Sequence, residues 1–236
     1  MIANSSDPIG GVELWSTKID TSGNNLRGIG LALSVDNSTG LLFVSYSLRD
    51  TRGNTAYACM QAMAPVGKVG FSSLWTQRVE TPPNSPQYCN SANYCTLTPV
   101  LCGSQVLLTT PTAIVAFDQT SGLLLWRFGG SFGNNYHQPV CHPGGMFVVV
   151  NGTTSVIAFQ ANTTSISPYE MWRQSTGAFQ VLRAPVIDAM GNVYVIGGAS
   201  SSSDPNGAKL FAFDYRQRCD LSFDQCAFKQ SNQPKL

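Results

Sequence analysis

The sequence predicts an all-β chain of repeated four-stranded antiparallel units, a β-propeller architecture. Three observations carry the prediction. Short apolar runs at strand period alternate with clusters of turn residues along the chain. A proline-valine step recurs at Pro99-Val100, Pro139-Val140 and Pro185-Val186, at intervals of 40 and 46 residues (139 − 99 and 185 − 139). A tryptophan closes three units, at Trp75, Trp126 and Trp172, and Trp15 stands ahead of the first. A repeat of ~40–50 residues that holds four strands is the sequence mark of a propeller blade. One blade cannot bury both of its faces, so blades must stack.

The clearest unit runs from Thr98 to Phe128. Two apolar runs, Gln105–Thr110 and Ala113–Phe117, flank a Thr-Pro-Thr turn. An Asp-Gln-Thr-Ser-Gly turn then leads into Leu123–Phe128. Turn residues at these offsets write an antiparallel meander. In order along the chain, a degenerate start at Leu33-Ser34-Val35-Asp36 joins the three proline-valine starts. Second strands are expected at Leu41–Tyr46, Val106–Thr109, Met146–Val150 and Val193–Ile196. Third strands carry a small/aromatic alternation: Tyr57-Ala58-Cys59-Met60, Val115-Ala116-Phe117-Asp118, Ile157-Ala158-Phe159-Gln160 and Phe211-Ala212-Phe213-Asp214. The fourth strands open with tryptophan. This gives blades at about 30–78, 98–128 and 138–174, and a fourth at about 180–215 with three strands and no tryptophan strand. Residues 12–20 form an orphan tryptophan strand, and 217–236 a cysteine-containing polar tail. About four blades suit either an arc of a larger propeller, which is the expectation, or a closed four-blade ring. Trp15 would then belong to a preceding blade or complete the last one.

Ala116-Phe117-Asp118-Gln119-Thr120-Ser121-Gly122-Leu123-Leu124-Leu125-Trp126 matches the tryptophan-docking motif A-x-D-x-x-T-G-x-x-x-W, with Ser for Thr at 121. On this motif the chain resembles the pyrroloquinoline quinone (PQQ)-like propeller repeat family, the quinoprotein alcohol dehydrogenase-like superfamily. The resemblance covers about Gly28 to Arg216. It implies that Ala116, Asp118, Gly122 and Trp126, with Trp15, Trp75 and Trp172, serve blade geometry: the Asp and Gly make a hairpin turn and the indoles dock between blades. Catalytic members of the superfamily hold PQQ and calcium with a catalytic Asp and often two adjacent cysteines. This chain has no Cys-Cys pair, and Asp36, Asp118, Asp188 and Asp214 all fall at turns, where capping accounts for them. No cofactor and no catalytic or metal-binding residue is therefore expected, and an arc of a PQQ-dependent dehydrogenase is the alternative.

The charged fraction is 11% and the net charge +1, so no basic patch points to nucleic acid. No apolar run is long enough to span a bilayer. The start, MIANSSDPIGG, lacks the basic and apolar regions of a signal peptide. Seven cysteines and the acceptor sequences at Asn4, Asn37, Asn151 and Asn162 point to a secreted, lumenal or cell-surface glycoprotein.

Cys89 with Cys95, and Cys219 with Cys226, are spaced for local disulfides, although spacing does not prove connectivity. Cys59 and Cys141 fall in core slots, Cys59 aligned with Phe117 and Phe213, and Cys102 at a turn entrance. Dispersed cysteines without a C-x-x-C make zinc a poor reading. Gly129–Gly133 formally fits G-x-S-x-G, but a blade link follows instead of a helix. His137 and His142 flank Pro139-Val140-Cys141 and are expected to make structural hydrogen bonds. Long loops are expected at Ser47–Thr55, Glu80–Thr96, Gly129–Tyr136 and Gly197–Ala208. The richest, Glu80–Thr96, holds Tyr88 and Tyr94 as a candidate binding loop. The function expected is a non-enzymatic scaffold that binds protein or glycan through this face. A structural subunit whose open blade edge pairs with a neighbour is a further reading.

Overall fold

The computed structural model describes residues 26–50, 56–67, 70–81, 98–110, 112–130, 138–161, 168–177, 179–181, 183–199 and 207–214. Among them every regular element is a strand, and no helix is long and apolar enough to cross a membrane.

Among the described residues sixteen strands form four antiparallel sheets. The first holds β1 (Leu26–Val35), β2 (Leu42–Asp50), β3 (Ala56–Val66) and β4 (Gly70–Thr81), paired in chain order. The second holds β5 (Val100–Cys102), β6 (Gln105–Thr109), β7 (Ala113–Asp118) and β8 (Leu124–Gly129). The third holds β9 (Val140–Cys141), β10 (Met146–Asn151), β11 (Ser155–Gln160) and β12 (Tyr169–Ser175). The fourth holds β13 (Phe179–Val181), β14 (Val186–Ile187), β15 (Val193–Ala199) and β16 (Ala208–Phe213). Each proline-valine start seats its valine at the head of a first strand. In the fourth sheet β13 and β14 both pair with β15, at Gly197–Ala199 and at Val193–Tyr194. They are two pieces of one inner strand, so among the described residues the sheet has three strand positions, of which β16 is the last.

Burial on both faces explains the stacking. The central strands β6, β7, β10 and β11 are apolar on both faces and almost wholly buried. Strands buried on both sides need a layer on each side. One core joins Phe43, Ala58, Met60 and Ala62 of the first sheet to Val106, Leu108, Val115 and Phe117 of the second. A second joins Leu107, Ile114, Ala116 and Trp126 to Phe147, Val149, Ile157 and Phe159 of the third. A third joins Val148, Val156 and Ala158 to Val193, Val195 and Phe213 of the fourth. The short inner strands also approach each other, β5 beside β9 and β9 beside β14. Sheets stacked face to face with their first strands converging have the radial arrangement of propeller blades.

The register corrects the alignment of the first unit. Trp126 lies opposite Ala116 and Trp172 opposite Ala158, with a bulge directly after each alanine. In the first sheet Trp75 lies opposite Ala62, with a bulge between Ala62 and Met63. Ala62, not Ala58, is thus the docking alanine. Met63 takes the position of Phe117 and Phe159, and Cys59 lies four residues before it. The repeated small-residue spacing along β3 offers two equivalent frames, and only pairing with β4 selects one. The expected loops also begin too early. Residues 47–50 belong to β2, 80–81 to β4, and 197–199 to β15. The strands β2 to β4 are extended at one end by continued pairing, which short apolar runs do not announce.

Candidate functional site: tryptophan seats and the open last sheet

Each tryptophan acts on the sheet that follows it. The Trp75 indole lies against Phe43 of its own sheet and Phe117 of the next, at 6.1 Å from each. Its Nε1 donates to the Gln119 carbonyl at 3.0 Å, and Gln77 Nε2 donates to the Gly122 carbonyl at 2.9 Å. The Asp118–Gly122 turn is therefore the seat of Trp75, while Trp126 of the same motif faces the third sheet. Trp126 stacks on Phe147 at 5.4 Å and donates from Nε1 to Gln105 Oε1 at 3.0 Å. Trp172 meets Phe213 at 5.7 Å. The motif residues thus serve two different interfaces, which a linear motif does not reveal.

The turn is built by its aspartate. Asp118 Oδ1 accepts from Thr120 N, Ser121 N and Ser121 Oγ at 3.1, 2.7 and 2.8 Å. Gly122 closes it with φ 71° and donates to the Asp118 carbonyl. A Cβ on Gly122 would lie 2.6 Å from Trp75 Cδ2. Left-handed φ costs an alanine roughly 1–2 kcal/mol, and overpacking typically costs a further ~1–3 kcal/mol. Gly122→Ala is expected to lower the denaturant midpoint clearly, with loss of the tryptophan fluorescence signature of a packed Trp75.

Two further turns use the same chemistry. Asp36-Asn37-Ser38-Thr39-Gly40 repeats the Asp118 turn: Asp36 accepts from Ser38 N, Ser38 Oγ and Thr39 Oγ1, and Gly40 has φ 73°. Asp188 accepts from Met190 N, Asn192 N, Asn192 Nδ2 and Tyr194 Oη. These hydrogen bonds hold all three carboxyls below their ordinary value of 3.8: at Asp36 chiefly the Thr39 hydroxyl, at Asp118 the Ser121 amide, at Asp188 the Asn192 side chain. A carboxyl depressed in the folded state contributes stability above its unfolded pKa and loses it as the pH falls through the folded one. The melting temperature is therefore expected to decline below about pH 4. Asp118→Asn should flatten part of that decline.

The other residues singled out from the sequence, where they are described, do not gather at one place. Asn37 is exposed in its turn, and Asn151 ends β10 half-buried. His142 accepts from Gly144 N at Nδ1, which leaves Nε2 to donate to the Ala189 carbonyl at 3.3 Å, a structural link between the third and fourth sheets. Cys59 is a fully buried thiol. Cys102 and Cys141 form a disulfide with Cα atoms 5.5 Å apart, joining the ends of β5 and β9. Along the chain they occupy unrelated slots, a turn entrance and a core position. They sit one register step apart in their own sheets, and only the closeness of the inner strands brings them together. Trp15, Cys89, Cys95, Cys219, Cys226, Asn4, Asn162, His137, Tyr88 and Tyr94 lie outside the described residues.

The last sheet ends differently from the others. In three sheets the docking alanine of the third strand is covered by a tryptophan strand. The matching residue of β16 is Ala212, opposite Tyr194, and it is exposed. Among the described residues no strand pairs with the outer edge of β16. The outward face beside it is apolar: Leu210 is 70%, Val186 62% and Ile196 47% exposed. Ile196 lies opposite Leu210, and Val186 opposite Tyr194, so these residues make one patch. The inward face is closed by Phe213, Phe211 and Phe179, with Lys209 Nζ 4.3 Å above the Phe179 ring.

No protein-family model matches the chain, and no curated protein sequence matches it. Solved structures do. BamB from Moraxella catarrhalis aligns with TM-score 0.50 and 13% identity over 79% of this chain and 50% of that one. The β-propeller domain of Myceliophteria thermophila Cps50 (Swd1) aligns with TM-score 0.46 and 11% identity, over 79% and 70%. The biofilm matrix protein Bap1 of V. cholerae aligns with TM-score 0.33 and 11% identity, over 84% and 36%. The chain spans about half the length of BamB. At these identities the likeness is one of fold. With the radial stacking and the four-stranded antiparallel sheets, it makes this an all-β chain of β-propeller blades.

Proposed function

We propose that this chain is a non-enzymatic propeller scaffold that holds a protein partner at the open edge of its last sheet. The observation that carries the reading is the outer edge of β16, with which no strand pairs among the described residues. Its edge groups have no described partner strand, and its docking alanine is bare where three other sheets seat a tryptophan. An exposed strand edge beside an apolar patch is a template for strand addition. The seat suits an extended partner segment with a tryptophan next to leucine or methionine, as in Leu74-Trp75 and Met171-Trp172. The long-loop face, with Tyr88 and Tyr94, is a second contact surface for protein or glycan in the same reading.

Secretion or a lumenal location is supported by the Cys102–Cys141 disulfide and the exposed Asn37 acceptor. Quinone chemistry is the weaker reading. The carboxylates of Asp36, Asp118 and Asp188 are engaged in turns.

The probe for the edge is a synthetic peptide of the chain's own β12, Tyr169–Ser175. Hydrogen exchange followed by mass spectrometry should show added protection in β16, saturable with peptide. The same peptide with Trp172→Ala should protect much less. No protection at millimolar peptide removes β16 as a strand acceptor. Protection confined to the loop face would move the site there.

A further inference from the structure

The first three sheets share one rule of register at their outer strands. Trp75, Trp126 and Trp172 lie opposite the docking alanines Ala62, Ala116 and Ala158, and pairing runs on from each tryptophan without a break. The third residue after each tryptophan, Arg78, Gly129 or Ser175, therefore lies opposite the third residue before each alanine, Cys59, Ala113 or Ser155. Those three facing residues are small and uncharged. In β16 the residue three before Ala212 is Lys209. β16 pairs with β15 from Phe213 to Ala208 with no register shift, so its backbone is regular along this stretch. Its burial also differs from that of the covered third strands: Ala208, Lys209, Leu210 and Ala212 are all exposed, whereas β7 and β11 are almost wholly buried.

The surroundings of Lys209 show how a charge stands at this place. Its partner on β15 is Gly197. A Cβ on Gly197 would lie 2.8 Å from Phe179 Cβ and 3.0 Å from Phe211 Cε2, so this side of the sheet is closed by the two rings. The Lys209 stem lies on the same side and brings Nζ 4.3 Å from the centre of the Phe179 ring. A lysine that points inward on an edge strand deters pairing. A strand laid beside it takes water from the ammonium, and a charge that loses water without compensation is costly. A carboxylate directly opposite offsets that cost, because facing side chains on one side of a sheet are neighbours; a second cation there adds repulsion.

We propose that Lys209 makes the β16 edge selective by charge. It admits an extended partner whose tryptophan is followed three residues later by aspartate or glutamate, and it turns away one with lysine or arginine there. The inference rests on the strand-acceptor reading and adds the charge of the partner to it. Simple blunting of the edge would act on every strand alike, whereas selectivity requires opposite effects on acidic and basic partners.

Two end-capped peptides of the sequence Tyr169–Gly177, one with Ser175→Glu and one with Ser175→Lys, test the proposal on the full chain. Ser175 is the third residue after Trp172, and protection of β16 from hydrogen exchange is the readout. The Ser175→Glu peptide should reach half-protection at a concentration about three- to tenfold lower than the Ser175→Lys peptide. The gap should narrow in about 1 M salt. Lys209→Glu should reverse the order, and Lys209→Met should erase it. Equal protection by the two peptides overturns the inference and leaves the strand acceptor standing. So does a preference that Lys209→Glu fails to change in a chain with the unaltered melting temperature. Protection by neither peptide removes the strand acceptor itself, and this inference with it.

Discussion

Replacement of Trp126 by alanine is expected to cost about 3–5 kcal/mol of stability, the range for emptying a buried tryptophan site. Trp126 is fully enclosed, stacked on Phe147, and part of a core to which both the second and third sheets contribute. The deletion opens a cavity at the interface and leaves the buried Gln105 Oε1 without its indole donor. Total stability is on the order of 5–15 kcal/mol for a domain, so this single change removes a large share of it. The melting temperature should fall by roughly 10 °C or more. Leu124→Ala, two residues earlier on the exposed face, is the control and should move stability by less than about 0.5 kcal/mol. Equal effects of the two changes would mean that Trp126 is not an inter-sheet anchor.

Loss of the Cys102–Cys141 disulfide is the second large effect. The bridge closes a sequence separation of 39 residues. On the chain-entropy account, a loop of that length is worth about 4 kcal/mol through the unfolded state. It also ties two inner strands of only three and two residues, which have little pairing of their own. The double variant Cys102→Ala/Cys141→Ala is the clean test, because general reduction would act on the other cysteines as well. Its urea midpoint should drop well below that of the unaltered chain. An unchanged midpoint would show that the inner strands are held by stacking alone.

Much of this fold is legible in the sequence, for reasons that are local. Central strands announce themselves because β6, β7, β10 and β11 are short, continuous apolar runs bounded by turn residues. The Asp118 turn announces itself because the hydrogen bonds to its aspartate side chain all fall within three residues. The same grammar is present at Asp36, where Asp36-x-Ser-Thr-Gly parallels Asp118-x-Thr-Ser-Gly. That match is a signal of a second Asp118-like turn which a search by strand pattern passes over. What the sequence withholds is set by contacts between sheets. Ala58 and Ala62 are indistinguishable until Trp75 chooses between them. The pairing of Cys102 with Cys141 depends on two inner strands meeting near the axis. Gly122 reads as a turn glycine, and its second role, a seat for Trp75, comes from a sheet whose tryptophan lies 47 residues earlier (122 − 75). The bare β16 is foreshadowed by a fourth unit without a tryptophan, but the patch of Val186, Ile196 and Leu210 beside it takes shape only once β14, β15 and β16 are aligned.

The proposed function rests on the uncovered last sheet, and hydrogen exchange of the full chain without any partner tests that feature most directly. Exchange reports local opening and exposure strand by strand. β7 and β11, paired on both sides and buried on both faces, should exchange slowest. The outward amides of β16 should exchange faster than those of either strand by orders of magnitude. If β16 is instead as protected as β11 in the isolated chain, a strand already covers its edge, and the proposal of an open docking edge is wrong.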